Sequence, residues 1–227
     1  MITLAPTDLV AIRLSLQVGV AATVLALPLG FAVAWLLTFM PFRGKVLLEV
    51  LVNLPLTLPP VVVGYLLLLL LGKHGWLGGV LDTFGIRIIF TLKAAVIASI
   101  VVGFPLLVRS LRISMEAIDR QLLQAARSLG APWYDVIFSV VLPLSVPGLA
   151  AGALLMFARS LGEFGATIIV AGNIPGRTQT IPLAIYDYAA TPGSEPFALA
   201  LCLVSLTISV IVLLIHEGLG KRLSGRR

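Results

Sequence analysis

Four stretches of this chain, residues 14–42, 50–72, 136–158 and 196–215, each run for 20 residues or more without Asp, Glu, Lys, Arg or His. A helix needs about 20 mostly apolar residues to cross a hydrocarbon core about 30 Å thick, so each stretch is long enough to span a membrane. A fifth, 94–108, is short by itself but suffices if it begins near Ile88 and Lys93 reaches back to the interface. The uncharged piece 164–176 is too short to span and suits either an extension of the preceding helix or a re-entrant segment. The expected fold is therefore an all-α membrane protein of five spans. Composition agrees, with 59% hydrophobic and 11% charged residues, against about 45–50% and about 25% in soluble domains. Too few polar residues remain to cover a water-facing surface, and the chain is too apolar for disorder. The length suits one bundle, a single domain over 1–227.

The scarce charges orient the bundle. Arg43, Lys45, Arg109, Arg112, Arg120, Arg127, Lys221, Arg222, Arg226 and Arg227 fall in one set of loops, and Arg13, Lys73, Arg87, Lys93 and Arg177 in the other. The richer set is expected in the cytoplasm, with the N-terminus outside and the C-terminus inside. The formal charge of +6 follows from that rule and needs no nucleic-acid partner. No basic region precedes the first apolar stretch, and the stretch exceeds a signal-peptide core of about 7–15 residues, so it is expected to be retained. The single cysteine, Cys202, permits no intrachain disulfide and is expected to pack as a small hydrophobe.

The longest connection on the basic side, within 109–141, is not a plain linker. In Asp119-Arg-Gln-Leu-Leu-Gln-Ala-Ala-Arg-Ser-Leu-Gly130, the spacing of Leu122, Leu123, Ala126 and Leu129 predicts one apolar helix face. Asp119 is a suitable N-cap and Gly130 a suitable residue just past the C-terminus. Pro132 is placed to open a second helix, 133–141, returning toward the membrane. The first helix must bury its apolar side against lipid headgroups, its own bundle or another protein. The small pair Ala125 and Ala126 favours a partner's groove.

These residues carry a family resemblance. Gln124-Ala-Ala, three residues, Gly130, nine residues, then Val140-Val-Leu-Pro143 resembles the loop signature of bacterial ABC importer permeases, Glu-Ala-Ala, three residues, Gly, nine residues, Ile-x-Leu-Pro. Gln124 and Val140 depart from it, the first removing a charge. The resemblance implies a coupling helix that docks on a cytoplasmic ATPase subunit, with Gln124, Ala125, Ala126, Leu129 and Gly130 as contacts.

ATP must be used by such a partner, because no phosphate-binding Gly-x-x-x-x-Gly-Lys-Ser/Thr loop is present. Metal hydrolysis is equally unsupported: there are two histidines, and His216-Glu217 is followed by Gly220 where a zinc-protease motif needs its second histidine. The chain is expected to bind no cofactor and to be no enzyme.

Arg159 and Glu163 lie four residues apart at the end of an apolar stretch, hence on one helical face. Each charge costs about 2.5–3.5 kcal/mol at the bilayer centre, whereas the pair returns about 0.2–0.5 kcal/mol in water, so it must sit off-centre or face the protein interior. Two readings stand side by side, a structural pair and an outer gate on an anion path. Gly148 and Gly152 have the spacing of close helix packing.

Phe157-Ala-Arg-Ser-Leu-Gly-Glu-Phe-Gly-Ala-Thr167, Asn173-Ile-Pro-Gly176, Thr180-Ile-Pro-Leu-Ala-Ile-Tyr186 and Asn53-Leu-Pro-Leu-Thr-Leu-Pro-Pro-Val-Val-Val-Gly64 look like permeases for tetrahedral oxyanions, most closely the molybdate importer permeases. The resemblance implies a type I importer-like bundle in the bacterial inner membrane. It further implies a homodimer carrying two ATPase subunits and served by an external molybdate-binding protein. Tungstate and sulfate are alternative substrates. An ion-coupled secondary transporter is the rival of another class, but it would be expected to show paired interrupted helices in related halves.

Overall fold

The computed structural model describes residues 5–224, with side chains through Leu219; Arg226 and Arg227 lie outside the described residues, as do the side chains of Lys221 and Arg222. Helix α1 (Pro6–Phe39) begins on a proline, and the Asp8 carboxylate accepts the Ala5 N–H at 2.7 Å. It stops at Met40, which is extended ahead of Pro41 as a pre-proline residue must be. Helices α2 (Lys45–Thr57) and α3 (Pro60–Leu71) follow, then the short α4 (Trp76–Thr83) and the long α5 (Leu92–Glu116). Next come α6 (Arg120–Ser128) and α7 (Trp133–Val136). A π-helical stretch, Ile137–Val141, runs without interruption into α8 (Leu142–Leu161). Helices α9 (Gly165–Val170), α10 (Ile181–Ala190) and α11 (Glu195–Ser224) complete the order.

Among the described residues, four helical runs are long and apolar enough to cross a membrane: Pro6–Phe39, Leu92–Glu116, Trp133–Leu161 and Glu195–Leu219. The expected second span, 50–72, is not a straight crossing. Helices α2 and α3 meet at 117° because Leu58 and Pro59 are both held extended by the prolines that follow them. At about 20 and about 18 Å, neither half reaches across hydrocarbon alone. The halves serve opposite ends of α5: Glu49 of α2 pairs with Arg112, while Val63 and Leu67 of α3 pack with Ala94, Ala95 and Ala98. The 94–108 stretch is longer than its uncharged core, with an exposed Lys93 in its first turn. Cys202 departs from expectation, lying exposed on α11.

Helix α5 packs on both α1 and α8, and small residues on those two helices let it approach closely. Lipid tails are as apolar as leucine, so close van der Waals approach must hold such helices together. Ala22, Ala26 and Ala34 of α1 are buried together with Leu107, Leu111 and Met115 of α5. A Cβ on Gly152 of α8 would come within 3.1 Å of the Leu107 carbonyl oxygen. One on Gly148 would overlap the Ser114 side chain and lie 2.8 Å from the Ser110 carbonyl oxygen. The Ser110 hydroxyl donates to the Gly148 carbonyl at 2.9 Å.

The two ends are fastened differently. At the basic end, Arg112 joins Glu49 at 3.0 Å and Glu116 at 3.2 Å. At the far end, the Ile181 N–H donates to the Ser15 hydroxyl at 2.7 Å, and the Tyr188 hydroxyl to Asp8 at 2.8 Å, tying α10 to α1. Burial, with Asp8 adding to it, holds the Tyr188 phenol above its usual range, so it stays a donor.

Backbone atoms of α5 cannot yield to a larger residue at position 148. Gly148→Val is expected to cost about 1–3 kcal/mol by overpacking, read as a lower thermal midpoint in detergent. Gly218→Ala, inside α11 with no neighbour within 4 Å, should not lower the midpoint.

Candidate functional site

Helix α6 is defined at both ends by its own sequence. Asp119 accepts the Gln121 N–H at 2.8 Å. Gly130 has φ +83°, its N–H donates to the Arg127 carbonyl at 2.9 Å, and the Ala131 N–H donates to the Ala126 carbonyl at 3.1 Å. That pair of bonds is the Schellman closure, which needs a residue tolerant of positive φ. Pro132 caps the next helix rather than opening it, one residue from expectation.

The expected apolar face of α6 is divided. Leu123 packs against the core that includes Met115, Ile118 and Val141, and Ala126 is half-buried. Leu122 and Leu129 instead stand 49% and 89% exposed, with exposed Ala125 between them on the outer side. Of the five contact candidates, Ala125 and Leu129 thus share the free edge and Gly130 forms the turn, while Gln124 faces along the bundle toward the end of α1. Leu122, not among those five, belongs to the free edge as well. Three residues, Ala117, Ile118 and Asp119, separate α6 from the end of α5, and the Gly130 turn leads directly through α7 into α8. Helix α6 is therefore joined by short segments to the two helices that pack at Gly148 and Gly152.

Arg159 and Glu163 are brought together, with a guanidinium nitrogen 2.8 Å from Glu163 Oε2. Arg159 occupies the last turn of α8, where the helix dipole favours a cation. Glu163 is 2% exposed, and its Oε1 accepts the Ala166 N–H at 2.8 Å, capping α9 where a negative charge is favoured. One carboxylate thus closes α8 and starts α9, so 164–176 is no extension of α8. A Cβ on Gly64 of α3 would lie 2.8 Å from the Ala166 Cα, and one on Gly165 would lie 2.9 Å from Pro60. Phe164 stacks on Tyr186 of α10 at 5.3 Å. The ion pair consequently holds a joint where α9 covers the first turns of α3, just past the break in the second span.

The tie between Arg112 and Glu49 is a feature the sequence does not disclose, because its partners stand on different helices with no shared motif. Among the described residues, no group of three His, Cys, Asp or Glu side chains is placed to hold a metal ion.

The fold is shared with solved importers. A bacterial alginate ABC transporter, solved in complex with its alginate pentasaccharide-bound periplasmic protein, superposes with a TM-score of 0.74 over 96% of this chain and 80% of its own, at 16% identity. A molybdenum transport system permease protein of Haemophilus influenzae is 51% identical over 95% of each chain. One from Escherichia coli is 50% identical over 93% of each. The family described as the inner membrane component of binding-protein-dependent transport systems matches residues 26–225. A bent second span, an exposed helix between α5 and α8 and a matching family over nearly the whole length agree: this chain belongs to the binding-protein-dependent transport system inner membrane components.

Proposed function

We propose that this permease subunit carries molybdate through the inner membrane, as one half of a homodimer driven by two ATPase subunits and loaded by an external molybdate-binding protein. The whole chain, 1–227, acts as one transmembrane domain. The observation that carries the reading is α6, an exposed helix fixed at both ends, whose free apolar edge of Leu122, Ala125 and Leu129 has no cover of its own. Such an edge suits a groove on an ATPase, which supplies ATP chemistry while this chain binds no cofactor. Nucleotide binding draws the ATPases together, α6 moves with them, and α5 and α8 shift as packed units to open the path outward. The choice of molybdate rests on the two relatives of about half identity over nearly the full length. The charge distribution supports an orientation with the N-terminus outside and α6 at the cytoplasmic face.

The geometry at Arg159 and Glu163 supports a structural role over an outer gate. Glu163 is enclosed and has a capping duty, and Arg159, with 29% of its side chain exposed, is its counter-ion.

Uptake into vesicles holding the permease, its ATPase and its binding protein is expected to favour molybdate and tungstate over sulfate; equal or greater sulfate uptake would reassign the substrate. Gly130→Val strains the turn by about 1–3 kcal/mol and is expected to insert normally yet lose transport, while coupled ATP hydrolysis at the wild-type rate would remove α6 from the mechanism. Arg159→Met strands the Glu163 carboxylate. Removing one partner of a buried pair costs about 3–5 kcal/mol, reduced here to about 2–3 kcal/mol by the partial exposure of Arg159. Adding Glu163→Gln should restore most of the thermal midpoint and the transport; a stable double variant without transport would establish the gate.

A further inference from the structure

On its bundle side, α6 faces a cavity of about 410 Å³ beneath the end of α1, walled by Thr38, Phe39 and Met40 and by Lys45, Gln124 and Arg127, with Arg120 beside them. Three cations converge there, and none of Lys45, Arg120 and Arg127 forms an ion pair among the described residues. Asp119, the acidic residue nearest in sequence, is engaged in capping α6. Lys45 is also the first residue of α2, whose N-terminus has no side-chain cap, so the positive end of a helix dipole stands at the rim. The Thr38 hydroxyl in the wall has no hydrogen-bond partner. Where the loop signature carries a glutamate, this chain has the neutral Gln124, which leaves the cavity's positive charge intact.

We propose that this cavity binds the phosphate headgroup of an anionic phospholipid, which bridges the end of α1 to the bundle side of α6. Basic pockets at the cytoplasmic ends of spanning helices take such headgroups. The walls favour lipid over an acidic protein segment: Phe39 and Met40 end a membrane-spanning helix, and Met40 is 41% exposed where an acyl chain would pass. The free edge of α6, meanwhile, points away from the cavity. The proposal rests on the orientation given above, with α6 at the cytoplasmic face. Lipid retention is measured on the isolated full chain, so it does not depend on which way the chain inserts.

Native mass spectrometry of the permease, released from membranes containing equal phosphatidylglycerol and phosphatidylcholine, tests it. Each basic residue near an anionic surface contributes about fivefold in affinity. The wild type should keep phosphatidylglycerol in clear excess. Lys45→Gln with Arg120→Gln and Arg127→Gln should abolish the excess, and Gln124→Glu should reduce it about fivefold while removing no cation. Arg87→Gln, at an exposed site elsewhere, should not change it. Equal retention of the two lipids, or an excess unaffected by both cavity variants, overturns the proposal. Displacement of the bound lipid by millimolar inorganic phosphate would make it a free-anion site, and displacement by the added ATPase would make it a protein contact; either result also overturns the lipid assignment.

Discussion

In hydrocarbon every backbone N–H and C=O must find a partner within the protein, and this requirement orders the rest of the molecule. Proline violates it locally by removing a donor, and the chain has 14 prolines. Single ones are carried inside α1, α2, α5 and α8 at Pro28, Pro55, Pro105 and Pro147. Pro143, which cannot donate to Ser139, follows a stretch where the bonding has shifted to the π register, with the Leu142 N–H donating to Ile137. The adjacent Pro59 and Pro60 cannot be absorbed, and the second span breaks there. Irregular backbone at this depth is tolerated where protein covers it. The cover is α9, set in place by the carboxylate of Glu163.

The local features were legible because their causes are local. Asp119 and Gly130 delimit α6 by side-chain and dihedral chemistry that operates within a few residues. Arg159 and Glu163 do meet, but not on one helical face: α8 ends at Leu161, and Glu163 reaches back from the turn beyond it. The break in the second span was written in Pro59-Pro60, but a search for uncharged runs weighs polarity alone and passes over it. The division of α6 into a packed edge and a free edge depends on where α1 and α5 end, which periodicity does not encode. Cys202 illustrates the same limit: apolar surroundings in sequence mean burial in a soluble protein, whereas here they are compatible with a lipid-facing position. In the sequence Arg112 is one of ten basic residues that set orientation, whereas its bond to Glu49 belongs to tertiary structure.

The bundle is closely packed along one route. Glycine and serine bring α8 against α5 at backbone distance between Gly148 and Ser110, and α6 is tied to both helices by very short connections. The far end is held by other means, with the Ser15 hydroxyl and Asp8 carboxylate joining α1 to α10 and the Glu163 carboxylate joining α8 to α9, so the two ends differ in chemistry as well as in charge.

The broken second span also bears on the order in which the protein is made. Its 23 uncharged residues leave the ribosome well before α8 and α9 are synthesised, and they are apolar enough to enter the bilayer at that stage. The surfaces that cover the bend belong to residues near 165, more than 90 positions beyond the span's end. The prolines set the break from the start, and what comes later is its cover: the segment is made before the α9 surface that encloses its bend.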